Sequence, residues 1–290
     1  MTQGRWAIGD VEVTAVLESD TAFSPEFLRQ SVIPDATRER VAALSWLVPH
    51  WADGNGDLRF CTQTFVVRSA GKVILVDTCL GNDKVRKNPA LHRLATPFIE
   101  RLAAAGVTPE CVDLVVCTHL HLDHVGWNTR LEGKRWVPTF PRARYLFSRR
   151  EWDHWSARPG HAFVIDDSIA PLWDAGLVDL IDVEINRDHP ITEDVSLVAT
   201  PGHSPGHCSV RIDSQGQHAL ITGDLVHHPC QVAHPEWTGP ADSDRAEARA
   251  TRERALAWAT RHDALVIGTH FTAPAAGRVR GRRFEGVLSG

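Results

Sequence analysis

An α/β chain built from two stacked sheets is what this sequence predicts, on three observations. Short apolar runs rich in Val, Ile and Leu recur along the 290 residues, bounded by Gly, Pro, Asn and Asp, which is the signature of strands. Helical patterns fall between them, and strand–helix–strand order points to layered construction. The strand-rich stretches also form two halves, roughly 8–150 and 177–270, with no linker, low-complexity tract or charge block to divide them. The expectation is one domain over residues 1–290, with two sheets and a functional site between them.

The elements follow in order. Ile8 to Glu18 alternates and is rich in Val, as a first strand would be. Residues 21–52 scatter Phe23, Phe27, Leu28, Trp46, Leu47 and Trp51 among prolines and charges; they read as short helices or an arm covering the core or the site. Phe60–Arg68 and Lys72–Val76 flank Ser69-Ala70-Gly71, a hairpin signal. Pro89 to Ala105 has a helical pattern with Gly106 as its stop. A strand at 112–118, one at Arg144–Phe147, a helical turn at Arg149–Trp155 and a helix at Asp166–Ala175 come next. Ser196–Ala199 is a strand, and Cys208–Ile212 with His218–Thr222 forms a hairpin about Asp213-Ser214-Gln215-Gly216. Asp242 to His262 is the longest helix candidate, with Asp242 and Ser243 as caps, and Leu265–Ile267 is a last strand.

Composition narrows the function. With Lys+Arg 31 against Asp+Glu 36 the net charge is -5, which argues against a nucleic-acid partner. Met1-Thr2-Gln3-Gly4-Arg5-Trp6 lacks the apolar core of a secretory signal, and no apolar stretch is long enough to span a bilayer. A cytoplasmic protein without a membrane partner is expected. The six cysteines show no CxxC pair and most lie in apolar runs, so they read as buried thiols rather than disulfides.

Chemistry concentrates in Thr118-His119-Leu120-His121-Leu122-Asp123-His124-Val125-Gly126, directly after the apolar run Leu114-Val115-Val116-Cys117. Such a run is a buried strand, and ligands bind beyond strand ends in open α/β folds. On extended backbone His119 and His121 project to one side and can share a metal ion. Asp123 and His124 face differently and can serve a second ion. His203, Asp224 and His270 each follow a further apolar run, beside a Gly or Thr.

HLHLDH at 119–124, PGH ending at His203, GD ending at Asp224, GTH ending at His270 and DTCLG at 77–81 together resemble the metallo-β-lactamase fold superfamily of metallohydrolases. The resemblance implies a four-layer αβ/βα sandwich of two mixed sheets with outer helices and a metal site on one edge. It implies that His119, His121 and His203 bind a first metal, that Asp123, His124 and His270 bind a second, and that Asp224 bridges them. Asp77 would orient a ligand histidine from behind. The cofactors would be two divalent ions, Zn2+ first, with Fe, Mn or Co also suited to imidazole and carboxylate donors. A hydroxide shared by the ions would attack the substrate, with Asp123 taking up or passing on a proton.

Within the superfamily the chain looks like the lactonase and methyl parathion hydrolase-like branch. Asp224 argues against a true β-lactamase, which lacks that carboxylate. A glyoxalase II-like thioesterase adds a helical tail, for which the roughly twenty residues after His270 leave no room. Lactonases of the short type carry a tyrosine three positions after the bridging aspartate; His227 stands there, and the one tyrosine is Tyr145. His227 is therefore either a hydrogen-bond donor to the substrate in the tyrosine's place or a packing residue. Trp127 replaces the family's common second glycine after DHxG. With Phe271 it adjoins the ligand loops and is expected to line an apolar substrate pocket. The expected function is hydrolysis of a small, largely uncharged ester or lactone, with organophosphate triesters as further substrates. The alternatives are a mononuclear iron oxygenase of the same fold, or a thioester or β-lactam hydrolase. A homodimer through the 21–52 arm is expected by analogy with relatives.

Overall fold

The first alternating stretch is broken at Gly9-Asp10, where the chain reverses. Gly9 takes φ 56°, a left-handed conformation that a side chain would strain. The expected strand from Ile8 to Glu18 is thus β2 (Val11–Ser19), and a strand not foreseen, β1 (Thr2–Ile8), precedes it and pairs with it as a hairpin. The same chemistry closes two expected hairpins more tightly than the sequence suggested. β3 (Thr62–Ser69) meets β4 (Lys72–Val76) across Ala70-Gly71 alone, both at positive φ, as a two-residue type I′ turn requires.

The computed structural model describes residues 2–288. β5 (Leu114–Val116) lies parallel to β4. A separate hairpin, β6 (Thr129–Glu132) and β7 (Arg135–Pro138), precedes β8 (Arg144–Ser148) and β9 (Val178–Ile181). The first sheet has order β1-β2-β3-β4-β5-β8-β9. β9 therefore belongs to the first half, and the division between halves falls after it rather than near residue 150. The second sheet runs in sequence order: β10 (His189–Pro190), β11 (Val195–Ala199), β12 (Cys208–Ser214), β13 (Gln217–Ile221), β14 (Leu265–Ile267), β15 (Ala276–Arg280) and β16 (Arg283–Gly286). Both sheets are mixed: in the first, β4–β5, β5–β8 and β8–β9 are parallel and the pairs from β1 to β4 antiparallel, and in the second only β13–β14 is parallel.

Strand periodicity distributes the side chains between layers. Phe65 and Val67 of β3 and Ile74 and Val76 of β4 face a core shared with Leu197, Val210, Ile212, Ile221 and Ile267 of the second sheet. Their neighbours Val66 and Leu75 face the other way, onto Phe98 and Leu102 of the helix Phe98–Ala104. The helix Arg245–Arg261 covers the second sheet, packing on β13 and β15. Helix, sheet, sheet, helix make the four expected layers. Both faces of the central strands are covered, so they read as continuous apolar runs in sequence.

Two helices differ from expectation. Over 89–105 the chain makes only a 3-10 turn at Pro89–Leu91 and the helix from Phe98; Pro97 has no N–H to donate and keeps Thr96 out of helical conformation. The long helix starts at Arg245, capped by the Asp244 side chain, which accepts the Glu247 N–H at 2.9 Å. Asp242 has another role. No disulfide joins the cysteines, of which only Cys111 is exposed. No helix among the described residues is long and apolar enough to cross a membrane.

Candidate metal centre

Each cluster residue stands on a loop leaving the C-terminal end of a strand or joining two. His119–His124 follow β5, His203 lies between β11 and β12, Asp224 follows β13, and His270 follows β14. Close backbone approach sets the spacing of these loops. Gly126 packs on Leu80, whose carbonyl a Cβ at 126 would meet at 1.9 Å; the DTCLG and HLHLDHVG motifs therefore need the glycine where they touch. Thr78 N–H donates to His124 O (2.7 Å) and Gly126 N–H to Cys79 O (2.8 Å), zipping the two loops together.

The structure brings all seven expected ligand residues together. One group is His119, His121, His203 and Asp224, and another is Asp123, His124 and His270; in each, the donor atoms lie within 4.8 Å of one another. His121 presents Nδ1, 3.0 Å from Nε2 of both His119 and His203. Asp224 stands between the groups. Its Oδ2 is 3.3 Å from His203 Nε2 and 3.7 Å from His119 Nε2. Its Oδ1 is 3.0 Å from His270 Nε2 and 3.3 Å from His124 Nε2.

Partners behind the rings fix which nitrogen carries the proton. His124 Nδ1 meets Asp77 Oδ2 at 2.9 Å, His203 Nδ1 meets Asp242 Oδ1 at 3.1 Å, and His270 Nδ1 meets the Cys61 carbonyl at 2.8 Å. Thr118 Oγ1 donates to Asp77 Oδ2 (2.9 Å), so His119 Nδ1, at 3.1 Å, donates to that hydroxyl oxygen. In all four the acceptor makes Nδ1 the N–H and leaves Nε2 a lone pair aimed inward. Lone pairs then face the Asp224 carboxylate, an arrangement that is repulsive unless positive charge lies among them. Asp224 Oδ1 and His124 Nε2 are indeed buried without a hydrogen-bond partner. Neutral imidazoles and carboxylates in this arrangement fit divalent Zn, Fe, Mn or Co.

The electrostatics divide the rings. Against burial, Asp224, Asp77 and Asp123 raise His124 well above the ordinary imidazole value, and Asp224 with Asp242 raises His203, so positive charge is drawn to the carboxylates. Burial, reinforced by His124 and His121, holds His119 well below the ordinary imidazole value, and burial with His203 does the same for His121. Burial opposes ionisation of Asp224, but His124, His270, His227 and His203 outweigh it and hold the carboxyl well below its usual range. The ring of His207 is not part of either group: its Nε2 accepts the Asp224 N–H at 2.9 Å, and its Nδ1 lies 3.1 Å from the Thr200 carbonyl. Its contribution is to hold the Asp224 backbone.

A cavity of about 310 Å³ opens over the cluster, lined by His121, Asp123, His203, Asp224, His227 and His270 below and by Phe23, Phe27, Val32, Phe60, Leu91 and Leu122 around. Phe60 stacks on His270 with centroids 4.2 Å apart and meets Phe23 edge-on at 5.8 Å. The 21–52 stretch thus supplies Phe23, Phe27 and Val32 to the wall. Both ring nitrogens of His227 are buried without hydrogen-bond partners, and Nε2 is 3.4 Å from Asp224 Oδ2.

Trp127 and Phe271 do not line this cavity, contrary to the sequence reading. Trp127 is buried in the outer core, stacked on Phe98 at 5.2 Å, and its Nε1–H donates to Glu18 Oε1 at 2.6 Å. The Glu18 carboxylate also accepts the Leu80 and Gly81 N–H groups at 2.7 and 3.1 Å. The tryptophan therefore braces the DTCLG loop from behind. Phe271 is wholly buried against Phe284 in the inter-sheet core. Adjacency to a ligand in sequence left open which side of the loop each ring takes. Phe60, Asp242, Glu151 and His161 were not singled out for the site by their sequence context. Only Asp242 carried a signal, misread as a helix cap.

Fold and site together define an αβ/βα sandwich with a histidine–carboxylate cluster at one sheet edge. The model of the Metallo-beta-lactamase superfamily matches residues 57–270, and the chain belongs to that superfamily. An N-acyl homoserine lactonase, AttM, of Azorhizobium caulinodans is 32% identical over 137 residues, 44% of this chain and 47% of that one. An N-acyl homoserine lactonase of Bacillus cereus is 26% identical over 114 residues, 39% and 38% of the two chains. The chain thus spans less than half the length of these curated relatives. Among solved structures, the hydrolase AbOPH in the beta lactamase superfamily superposes with a TM-score of 0.77 at 23% identity, covering 100% of this chain and 99% of that one. AidC, a dizinc quorum-quenching lactonase in complex with a product, gives 0.71 at 18% identity, covering 100% and 98%. At these identities the likeness is one of fold.

Proposed function

We propose that the chain is a dinuclear metal-dependent hydrolase of a small, largely uncharged lactone or ester with an apolar portion, with organophosphate triesters as further substrates. The observation that carries this reading is the apolar, aromatic-walled cavity whose floor holds His121, Asp123, His203, Asp224 and His270 of the seven-residue ligand cluster, with His119 and His124 buried beneath. His119, His121 and His203 would hold one ion, Asp123, His124 and His270 the other, and Asp224 both. Zn2+ is the first choice, and Fe, Mn and Co suit the same donors. Two such ions supply Lewis acidity toward a carbonyl or phosphoryl oxygen and a water acidified to a pKa of about 7.

The chain's own residues do the rest. Phe23, Phe27, Phe60 and Leu122 take the apolar part of the substrate and exclude water. Among the described residues no Lys or Arg lines the cavity, so away from the metal floor no side-chain cation pairs with a charged group of the substrate, and a largely neutral molecule is favoured. His227, with an N–H and no partner, donates to the substrate oxygen where charge develops. Asp123, the more exposed carboxylate of the pair, accepts the proton released on attack and delivers it to the leaving oxygen. The curated relatives named as N-acyl homoserine lactonases support the lactone over the other esters. We further propose that residues 1–290 form one cytoplasmic domain, its 21–52 arm closing the site and serving as the contact of a homodimer.

Hydrolysis of N-acyl homoserine lactones, aryl esters, phosphate triesters and a chromogenic β-lactam, with and without added Zn2+, tests the reading. Metal-dependent turnover of lactones or esters well above the β-lactam is expected. Turnover of the β-lactam alone, or activity indifferent to chelation, contradicts it.

A further inference from the structure

One buried carboxylate outside the ligand cluster touches both halves of it. Glu151, on the helix Arg149–Ser156, is 1% exposed. Its Oε2 accepts the Leu120 N–H at 3.2 Å and the Trp155 Nε1–H at 2.7 Å, and its Oε1 accepts the Gly206 N–H at 2.7 Å. Leu120 stands between His119 and His121. Gly206 lies three positions past His203 and directly before His207, which holds the Asp224 backbone. The first loop leaves one sheet and the second joins two strands of the other; their backbones meet at Cys208 N–H to Thr118 O (2.9 Å), before the ligand positions, and no sheet ladder continues from there past His119, His121 and His203. Glu151 spans that gap.

Its surroundings complete the grip. The Leu120 carbonyl meets His161 Nε2 at 2.8 Å. The Trp155 ring, held by its bond to Glu151, packs edge-on against His121 at 4.8 Å and lies 4.5 Å from the His161 ring. A Cβ at Gly206 would come within 2.5 Å of the Glu151 backbone nitrogen, so the loop has been kept bare where the helix seats. The donors to Glu151 are two backbone N–H groups, one from each loop, and the Trp155 indole, so both oxygens are engaged in holding the loops.

We propose that Glu151 is the positioning residue that sets the separation of His119 and His121 from His203 and so tunes the affinity of the ion those three hold. The inference rests on the metal reading above. Loss of such supporting partners lowers metal affinity about 10- to 100-fold. Glu151→Gln keeps the volume but can offer only one acceptor oxygen, leaving one loop's N–H facing an amide NH2.

The test is Zn2+ affinity by competition with a chromogenic chelator, together with the visible absorption of the Co2+-loaded protein. For Glu151→Gln, one of two ions is expected to be lost about 10- to 100-fold more readily, with the other retained, an altered Co2+ spectrum and unchanged far-UV circular dichroism. Trp155→Phe removes a single donor and keeps an aromatic, though smaller, ring; a smaller loss of the same ion is expected. Either variant with reduced Tm but wild-type affinity for both ions overturns the proposal, because a purely structural residue behaves so. Wild-type protein that takes up no divalent ion overturns the metal reading and this inference together. Two ions in the wild type with unchanged affinity in both variants overturns this inference alone.

Discussion

At the residue scale, His227 separates binding from chemistry. Both of its nitrogens lack partners, and it faces Asp224 and the cavity. It also lies near His203 and Asp242, with which it could form a third ligand group. Asp242 is already engaged behind His203 and accepts the Gly239 N–H at 3.2 Å, so His227 is free to meet the substrate. His227→Phe is therefore expected to keep the wild-type metal content and lower kcat about 100- to 1,000-fold, through loss of one donor to the developing charge. Metal analysis beside steady-state kinetics checks this; loss of an ion would make His227 a ligand instead. The ligand types were legible in the sequence because four of them crowd into 119–124 and the rest follow apolar runs. The residues behind them were not. Asp242 is 39 positions from its histidine and Glu151 is 55 from Gly206, and no periodicity links such pairs. Trp127 and Phe271 were misplaced because neighbours on a loop point to different sides.

At the element scale, the 21–52 arm is tied down by buried polar bonds as well as by apolar packing. His228 Nε2–H donates to the Trp51 carbonyl at 2.7 Å, while its Nδ1 accepts the Cys230 N–H at 3.1 Å. A second proton would abolish that acceptor, and burial pushes the imidazole down to about 4. A histidine depressed in the folded state binds fewer protons than in the unfolded chain between its two pKa values, so stability falls as pH drops from about 6.5 towards 4. His228→Gln is expected to flatten the acid limb of the stability curve in that window, read from urea unfolding at pH 7 and pH 4.5. An unchanged limb would mean that His228 contributes nothing to it. Strand positions were legible because central strands covered on both faces are uninterrupted apolar runs. β1 and its turn into β2 were missed because Thr2-Gln3-Gly4-Arg5 gives most of that strand no apolar alternation. The 89–105 helix was overextended because its apolar period persists through Pro97, where the backbone cannot follow. The short strands β6, β7, β9, β10, β15 and β16 also went unrecognised: most carry many polar and charged residues, and none has a long apolar run.

At the scale of the whole molecule, the cluster sits where two sheets meet, and its ligands come from loops of both. His119, His121, Asp123 and His124 belong to the first sheet's loops, and His203, Asp224 and His270 to the second's. Ions held there would cross-link the halves of the sandwich as well as serve chemistry, and any ligand bound only by the folded state raises stability. The two-sheet construction was legible in the recurrence of strand runs, but the halves were divided too early, because β9 crosses back to pair with β8 after the intervening helices. The most direct measurement is elemental analysis of the purified protein, wild type and Asp224→Ala, paired with Tm before and after chelation. The account predicts about two divalent ions per chain, loss of at least one in Asp224→Ala, and a Tm that falls on chelation and recovers on Zn2+ addition. A single tightly held iron, or a metal-free protein with unchanged Tm, would contradict it.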